Sequence, residues 1–210
     1  MSEEYLVPYE RAESEFVEKR SRFIGQVARV ECEEYARAFI EAVKKTHYDA
    51  RHNCWCYRIR GGAVRYSDDG EPQGTAGQPM LNVFTREGVE NVVCVVTRYF
   101  GGILLGAGGL TRAYAKSAKD ALDAAGVSRV CSWRALRVDC PYPLLERVKL
   151  RVASDGGMVE RTEFGAAVTL TILLPQEKHD GFAAFLTELT AGSIAPEDMG
   201  TRFLPGPREG

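Results

Sequence analysis

The feature that most constrains the fold is an apolar run, Val92–Val96, that leads directly into a glycine-rich stretch. The residues NVVCVVTRYF are apolar at consecutive positions up to Thr97, which is typical of a strand covered on both faces. The segment Gly101–Gly109 then holds five glycines and is called the glycine loop. A helix is predicted over 110–125, with Gly126 at its end. We therefore expect a central strand, a loop and a helix in one domain.

The rest of the chain predicts two domains of mixed α and β structure. Over 1–130, strands and helices are expected to wrap around one sheet. Over 131–210, the predicted order is strand, helix, strand, strand, helix, strand, which is typical of a ferredoxin-like domain. We expect a linker at 127–134 between the two domains and a frayed tail at the final residues, PGPREG. The predicted fold class is α+β.

Charge and hydropathy exclude several classes of protein. The formal net charge is −2, so the chain lacks the positive surplus of a dedicated duplex-DNA binder. No apolar run reaches the roughly 18 residues that span a membrane, and the charged first residues lack the apolar core of a signal peptide. The six cysteines form no CxxC pair, which favours buried free thiols over disulfides or zinc ligands. We expect a cytoplasmic protein with no membrane partner, no metal and no cofactor.

The glycine loop has two interpretations. Glycines permit close backbone approach, so a loop between strand and helix can direct several amides and the helix N-terminus at one anion. Arg98 and Arg112 would flank that anion, and Lys116 would either extend the basic face or pair with Asp120. The spacing matches neither a nucleotide P-loop nor the dinucleotide pattern GxGxxG. The other interpretation is a tightly packed turn. The predicted anion- or RNA-binding residues are Arg98, Gly101, Gly102, Gly106, Gly108, Gly109, Arg112 and Lys116.

A second loop, SDDGEPQGTAGQP, covers Ser67–Pro79. Asp68, Asp69 and Glu71 place three carboxylates beside Gly70, a set that could hold Mg²⁺ or position a proton acceptor. Asp-Asp-Gly is also ordinary turn chemistry and the spacing does not match an EF-hand, so no metal is predicted. The small residues that follow would let another backbone or a ligand come close. Two loops of this kind in one domain suggest one shared surface.

The stretch RHNCWCYR contains a candidate nucleophile. If it is a strand, His52, Cys54 and Cys56 share a face, and His52 and Cys54 could act as base and nucleophile. Buried cysteines at the start of a strand are the simpler interpretation, because no acidic partner or oxyanion donor can be assigned. We therefore favour a protein that is not an enzyme.

The blocks DDGEPQGTAGQPML and TRYFGGILLGAGGLTRAYAKSA, in this order, resemble the two signature blocks of the IMPACT family, which in bacteria includes the YigZ-like proteins. The resemblance extends over the whole chain, as a signature domain followed by a smaller C-terminal domain. His52 and Cys54 match a shorter family stretch, whereas Cys56 stands where an alanine is usual. The signature surface implied by these matches comprises His52, Asp69, Glu71, Gly74, Thr75 and Gly77.

The resemblance also implies a fold and partners. The first domain should be similar to a small-subunit ribosomal protein domain and to domain IV of elongation factor G, and the ferredoxin-like domain to domain V of that factor. The ribosomal protein and elongation factor G both work in contact with ribosomal RNA, so the implied partners are the ribosome, rRNA or tRNA. Eukaryotic members are linked to translational control through an additional RWD domain, which we do not expect in this chain.

Two functions remain open at this point. The favoured one is a translation-associated regulatory protein that binds RNA or the ribosome through the glycine loop and its flanking arginines. The alternative is an enzyme or small-ligand binder that acts on an anionic metabolite, phosphorylated or carboxylated, with Asp69, Glu71, His52 or Cys54 as reacting groups. The balanced net charge favours the alternative over a large nucleic-acid footprint.

Overall fold

The computed structural model describes residues 5–209. Its contacts divide the chain into an N-terminal unit, residues 5–129 with 205–209, and a C-terminal unit, residues 130–204. Both units contain helices and strands, which confirms the predicted mixture of α and β structure. Gly210, the last residue of the predicted tail, lies outside the described residues.

The N-terminal unit is built on an antiparallel sheet with helices on both faces. Its strands are β1 (Tyr5–Pro8), β2 (Ala12–Glu18), β3 (Ser21–Arg29), β4 (His52–Arg58), β5 (Val64–Ser67) and β6 (Val92–Tyr99). Its helices are α1 (Glu33–Thr46), α2 (Gly77–Arg86) and α3 (Ala107–Ala125). The main sheet has the order β2-β3-β6-β4-β5, and every neighbouring pair is antiparallel. The strand β6 is therefore central, as the apolar run predicts.

Residues of β6 alternate between two hydrophobic cores. Val92, Cys94 and Val96 belong to the core formed with α2 and α3. Val93 and Val95 belong to the core formed with α1 on the opposite face of the sheet. All five side chains are buried. Burial on both faces explains the unbroken apolar run, and it fixes the end of β6, where the polar residues begin.

The helix α3 packs closely on the sheet. Its predicted apolar side is buried, and the helix starts three residues before the predicted Leu110. At Gly25 of β3, an added Cβ would lie 2.6 Å from the backbone oxygen of Ser117, so only glycine allows this approach. Gly126 ends the helix with a positive φ of 67°, as predicted.

The C-terminal unit has the predicted ferredoxin-like order of elements. These are β7 (Val127–Cys140), which starts in the N-terminal unit, α4 (Leu145–Ser154), β8 (Met158–Phe164), β9 (Val168–Pro175), α5 (His179–Thr190) and β10 (Glu197–Glu209). The strand β7 pairs with β9 and β10, and β8 pairs with β9. Alternate residues of β9 are buried with α4 and α5 in one core. The similarity to domains of elongation factor G stays a prediction.

Two expectations about the ends of this unit are wrong. The segment 127–134, predicted as a linker, is the first half of β7. Buried Ser128 and Val130 flank exposed Arg129 there, which is the two-residue period of a strand. The segment predicted as a frayed tail continues β10 as far as Glu209, because it pairs with β7. The backbone hydrogen bonds of a sheet hold both segments in place.

Candidate functional site

A buried ion pair joins the Ser67–Pro79 loop to the end of β6, three residues before the glycine loop. Arg98, near the end of β6, donates from Nη1 to Oε1 of Glu71 at 2.6 Å. The Arg98 side chain is 6% exposed and the Glu71 side chain 4%. A second Arg98 nitrogen, Nη2, donates to Oγ of Ser21 at 3.3 Å. The pair thus lies beneath the surface, and each charge depends on the other for compensation.

Tyr114 of α3 completes the environment of this carboxylate. Its hydroxyl donates to Oε1 of Glu71 at 2.8 Å. Burial raises the pKa of Tyr114, so the phenol keeps its proton and remains a donor. Glu71 is therefore held by one residue from the sheet and one from a helix, which fixes the loop that carries it.

His52 lies beside the ion pair because it is opposite Arg98 in the register of β4 and β6. Its Nδ1 lies 2.8 Å from the backbone oxygen of Asp69. A carbonyl oxygen only accepts, so Nδ1 carries the hydrogen and donates it. The other ring nitrogen, Nε2, lies 3.9 Å from Oε1 of Glu71. In the neutral imidazole, Nε2 therefore offers a lone pair on the side of the carboxylate.

The two aspartates of the Ser67–Pro79 loop organise the backbone. Asp68 accepts hydrogen bonds from the amides of Gly74, Ala76 and Gly77 at 2.8–3.0 Å. It thereby caps the start of α2, where a carboxylate is favoured. The Oδ2 atom of Asp69 accepts from the amide of Asn53 at 2.7 Å. The hypothesis that these aspartates hold a cation or act as proton acceptors is therefore not favoured by their contacts.

The small residues of this loop have packing tasks. Thr75 donates from Oγ1 to the backbone oxygen of Pro72 at 2.6 Å, which closes a turn. An added Cβ at Gly77 would lie 2.9 Å from the backbone nitrogen and oxygen of Ser67. The close approach expected for this loop is thus made by the chain's own backbone.

The glycine loop lies against the turn between β2 and β3. An added Cβ at Gly101 would lie 2.0 Å from the carbonyl carbon and oxygen of Arg20, and the Gly101 amide donates to Oγ of Ser21 at 3.3 Å. Gly106 has a φ of 73° and precedes the first turn of α3. The remaining glycines lie at the loop surface, Gly102, and in the first turn of α3, Gly108 and Gly109. The loop thus contains both a packed part and an open helix N-terminus.

A cavity of about 340 Å³ opens beside this helix N-terminus. Its polar lining comprises Arg51, His52, Glu71 and Arg98. Its apolar lining comprises Phe100, Leu104, Leu105 and Leu110, and Gly106 and Ala107 bring the start of α3 to the same cavity. The two signature blocks therefore meet at one site, named here the loop cavity.

The other predicted basic residues lie outside the loop cavity. Arg112 and Lys116 are exposed one turn apart on α3, and they line a smaller groove of about 170 Å³ with Lys19 and Glu18. Lys116 makes the predicted pair with Asp120 and also lies 4.9 Å from the ring centroid of Phe16. The structure thus separates buried Arg98 from these exposed cations.

Cys54 does not have the environment of a nucleophile. It is fully buried, and its thiol donates to the backbone oxygen of Asp68 at 2.9 Å. Burial raises the pKa of Cys54, which keeps the thiol protonated. Cys56 is also buried, and burial raises its pKa as well. These cysteines form part of the core beneath the site.

Sequence reasoning missed Ser21 and Asn53 and did not give Asp68 its capping role. A carboxylate a few residues before a run of small residues and a helix start is a recognisable signal for such a cap. Ser21 carries no local signal, because only the pairing of β3 with β6 brings it to Arg98.

Within residues 5–209, no helix combines the length and the hydrophobicity needed to cross a membrane. The same residues contain no cluster of three or more His, Cys, Asp or Glu side chains placed to hold a metal ion.

Fold and site together define a two-unit α+β protein whose N-terminal unit holds a buried Glu–Arg pair under a glycine-rich loop. The chain belongs to the IMPACT family. Residues 19–122 match the Impact N-terminal domain, and residues 138–193 match a domain of unknown function (DUF1949). The first match covers both loops of the site.

The relatives include bacterial and eukaryotic proteins. The chain is 37% identical to the IMPACT family member YvyE of Bacillus subtilis, over 91% of this chain and 89% of that protein. It is 37% identical to the IMPACT family member YigZ of Escherichia coli, over 84% of this chain and 88% of that protein. The mouse protein IMPACT is 35% identical over 42% of this chain and 30% of its own length. A solved structure, described as that of a hypothetical protein, has a TM-score of 0.61 at 34% identity and covers 95% of this chain and 99% of its own.

Proposed function

We propose that the protein is a translation-associated regulator that binds ribosomal RNA through exposed cations beside the glycine loop. The observation that carries the proposal is the groove in which Lys19, Arg112 and Lys116 converge on one surface with Glu18. Three cations against Glu18 in the lining and Asp120, which pairs with Lys116, leave this groove with one positive charge in excess, although the whole chain has a net charge of −2. A local basic surface of this kind suits the phosphates of an RNA backbone.

The neighbouring surface supports the same partner. Arg20 belongs to the turn on which Gly101 packs, and Arg51 lies 6.0 Å from the ring centroid of Phe100. Phe100 is 40% exposed and Leu104 80% exposed. Unpaired RNA bases stack on exposed aromatic rings next to positive charge, so this combination fits a single-stranded segment of rRNA.

Because Arg98 is buried, its role in this proposal is structural. Its side chain is 6% exposed and its charge is compensated by Glu71, so a backbone phosphate lying on the protein surface does not reach it. Arg98 holds the loop geometry, and Lys19, Arg112 and Lys116 make the phosphate contacts.

Ribosome co-sedimentation at several salt concentrations tests the proposal. The triple variant Lys19→Ala, Arg112→Ala, Lys116→Ala should bind more weakly than wild type at low salt. Its slope of log affinity against log salt should be shallower by about 2, since each lost phosphate contact on a single strand contributes about 0.7. The wild-type protein should dissociate as salt rises.

A matched control is Arg86→Ala, which removes an exposed arginine at the end of α2. This variant should bind like wild type if the groove is the interface. Absence of wild-type binding at low salt, or a triple variant with unchanged salt dependence, would refute the proposal.

A further inference from the structure

We infer that the loop cavity is a second binding site, which takes a phosphate monoester attached to a hydroxylated ring system, as in a nucleoside monophosphate. This site goes beyond the proposed phosphate contacts of Lys19, Arg112 and Lys116, because it adds the polar groups of His52, Glu71 and Arg98, although it shares Arg51, Phe100 and Leu104 with the proposed RNA surface. Its volume of about 340 Å³ falls at the lower end of the range for small-molecule sites.

The buried side chain of Arg98 has a donor without an acceptor. Nε of Arg98 is buried and has no hydrogen-bond partner, although the other two nitrogens of the guanidinium bond Glu71 and Ser21. A buried N–H without an acceptor is costly, and because Arg98 is part of the cavity lining, a small shift of its guanidinium on binding would let a ligand oxygen satisfy this donor. The ligand is therefore expected to carry an acceptor.

The N-terminus of α3 offers further hydrogen-bond donors. The first backbone bond of this 19-residue helix is made by the amide of Leu110 to the oxygen of Gly106. The amides of Ala107, Gly108 and Gly109 consequently have no acceptor within the helix. Gly106 and Ala107 line the loop cavity and Gly109 lines the neighbouring groove, so this helix end and its partial positive charge border the cavity.

The charge balance of the cavity selects an anion. Glu71 and Arg98 compensate each other at 2.6 Å. Two positive groups remain at the cavity: the exposed side chain of Arg51 and the helix end, which is equivalent to about half a positive charge. The cavity lining contains no further negative group to match them. A phosphate brings several oxygen acceptors for the amides and guanidinium groups at once.

His52 and Glu71 place hydrogen-bond acceptors beside these donors. With Nδ1 donating to the backbone oxygen of Asp69, Nε2 is the ring nitrogen of His52 that remains for a ligand, and it lies 3.9 Å from Oε1 of Glu71. Hydroxyl groups on the ligand can donate to both. Phe100, Leu104 and Leu110 form the opposite, apolar part of the lining, which suits the flat face of a ring. The acceptors, the donors and the apolar part of the lining together match a nucleotide better than they match free phosphate.

Isothermal titration with adenosine 5′-monophosphate, adenosine and inorganic phosphate tests the inference on the full-length protein. Adenosine 5′-monophosphate should bind more tightly than either of the other two. Equal binding of adenosine and adenosine 5′-monophosphate would overturn the role of the phosphate, and absence of binding at millimolar concentrations would overturn the site.

Two variants remove contacts without taking a partner from the buried ion pair. Arg51→Ala deletes an exposed cation at the cavity, and a loss of affinity of about tenfold or more is expected for a charged hydrogen bond. His52→Asn keeps a donor near Asp69 but removes the Nε2 acceptor, and it should weaken binding of the nucleotide while leaving the weaker binding of inorganic phosphate unchanged. Arg65→Ala, on β5, is the matched control and should bind like wild type. Unchanged nucleotide affinity in both cavity variants would overturn the inference.

The phosphate monoester could belong to a free nucleotide or to the 5′ end of an RNA. A tetranucleotide with a 5′-phosphate, compared with the same tetranucleotide with a 5′-hydroxyl, distinguishes the two sources: a preference for the phosphate assigns the cavity to RNA ends, and no preference assigns it to free nucleotides. The triple variant of the exposed groove should bind adenosine 5′-monophosphate like wild type. If it does not, the nucleotide lies in the groove and the cavity assignment is wrong.

Discussion

Glu71 receives hydrogen bonds from Arg98 and Tyr114 on the same oxygen, Oε1, and lies 3.9 Å from Nε2 of His52. Replacing buried ion pairs by apolar residues is often harmless, but removing one partner leaves an uncompensated charge. The Arg98 side chain is 6% exposed, so its guanidinium has little access to water if the carboxylate is lost. The stability of the N-terminal unit should therefore depend strongly on the charge of Glu71.

The variant Glu71→Gln tests this dependence. The amide keeps the size and one acceptor oxygen but no longer compensates Arg98, so the free energy of unfolding should fall by about 3 kcal/mol. Urea unfolding followed by tryptophan fluorescence measures the change. A loss below about 0.5 kcal/mol would contradict the dependence.

A matched control is Glu87→Gln. Glu87 pairs with Lys119 at 3.7 Å, but its side chain is 43% exposed, so its loss should cost less than about 1 kcal/mol. The double variant Glu71→Gln, Arg98→Met removes both buried charges and should be less destabilised than the sum of the two single variants.

Among the structural elements, the glycine loop and the β2–β3 turn depend on each other. Lys19 and Arg20 in this turn both have positive φ, 45° and 65°. Gly101 packs on the backbone of Arg20, and Ser21 bonds both Arg98 and the Gly101 amide. The turn thus supports the loop that carries the start of α3, and a side chain at Gly101 would separate them.

The variant Gly101→Ala should disrupt this contact. Its Cβ would lie 2.0 Å from backbone atoms of Arg20, and a backbone cannot rotate away as a side chain can. We expect a loss of about 1–3 kcal/mol in the free energy of unfolding, together with faster amide hydrogen exchange in the β2–β3 turn.

Gly102→Ala is the comparison, because nothing lies within 4 Å of its added Cβ and only its φ of 84° is unfavourable. It should lower stability by about 1 kcal/mol without changing exchange in the turn. Equal exchange in both variants would show that close packing at Gly101 does not hold the turn.

The elements differ in how far local sequence determines them. The strand β6 follows from its unbroken apolar run, which reflects burial on both faces of the sheet, and the helix α3 follows from periodicity, because its buried residues recur at helical spacing. The prediction of a linker at 127–134 is wrong, because the polar residues there give little local strand signal and the strands that pair with β7 are distant in sequence. The site shows the same limit: small residues predict that two loops meet, but only strand pairing brings Arg98, His52 and Ser21 together.

For the whole molecule, the two units differ in their buried thiols. All six cysteines lie within the described residues and are free. Cys54, Cys56 and Cys94 are buried in the N-terminal unit, and burial raises the pKa of each. In the described C-terminal unit, Cys140 is the buried cysteine, with its pKa raised by burial as well. Each unit also contains one tryptophan, Trp55 or Trp133, so the units can be followed separately.

High pH should therefore destabilise the N-terminal unit more steeply than the C-terminal unit. A thiol has a pKa of about 8.5 in an unfolded chain, and burial raises it in the folded state, so above pH 8.5 the unfolded state binds fewer protons. The stabilisation is fully present below that pH and is lost as pH rises. Each buried thiol then contributes a decline of about 1.4 kcal/mol per pH unit, or about 4 kcal/mol for the three thiols.

Urea unfolding under reducing conditions between pH 7 and pH 9.5 measures both units, with Trp133→Phe isolating the signal of Trp55 and Trp55→Phe isolating that of Trp133. This range ends below the pKa of about 10 of an unfolded tyrosine, so buried Tyr114 adds little to the pH dependence. Replacing Cys56 and Cys94 by alanine should reduce the pH dependence of the Trp55 transition to about a third, because one of the three buried thiols remains. Replacing half-buried Cys32 by alanine should leave the pH dependence of the Trp55 transition unchanged. If the Trp55 transition declined no faster than the Trp133 transition above pH 9, the thiols would ionise without unfolding, and the core around β6 would have to admit water at this pH.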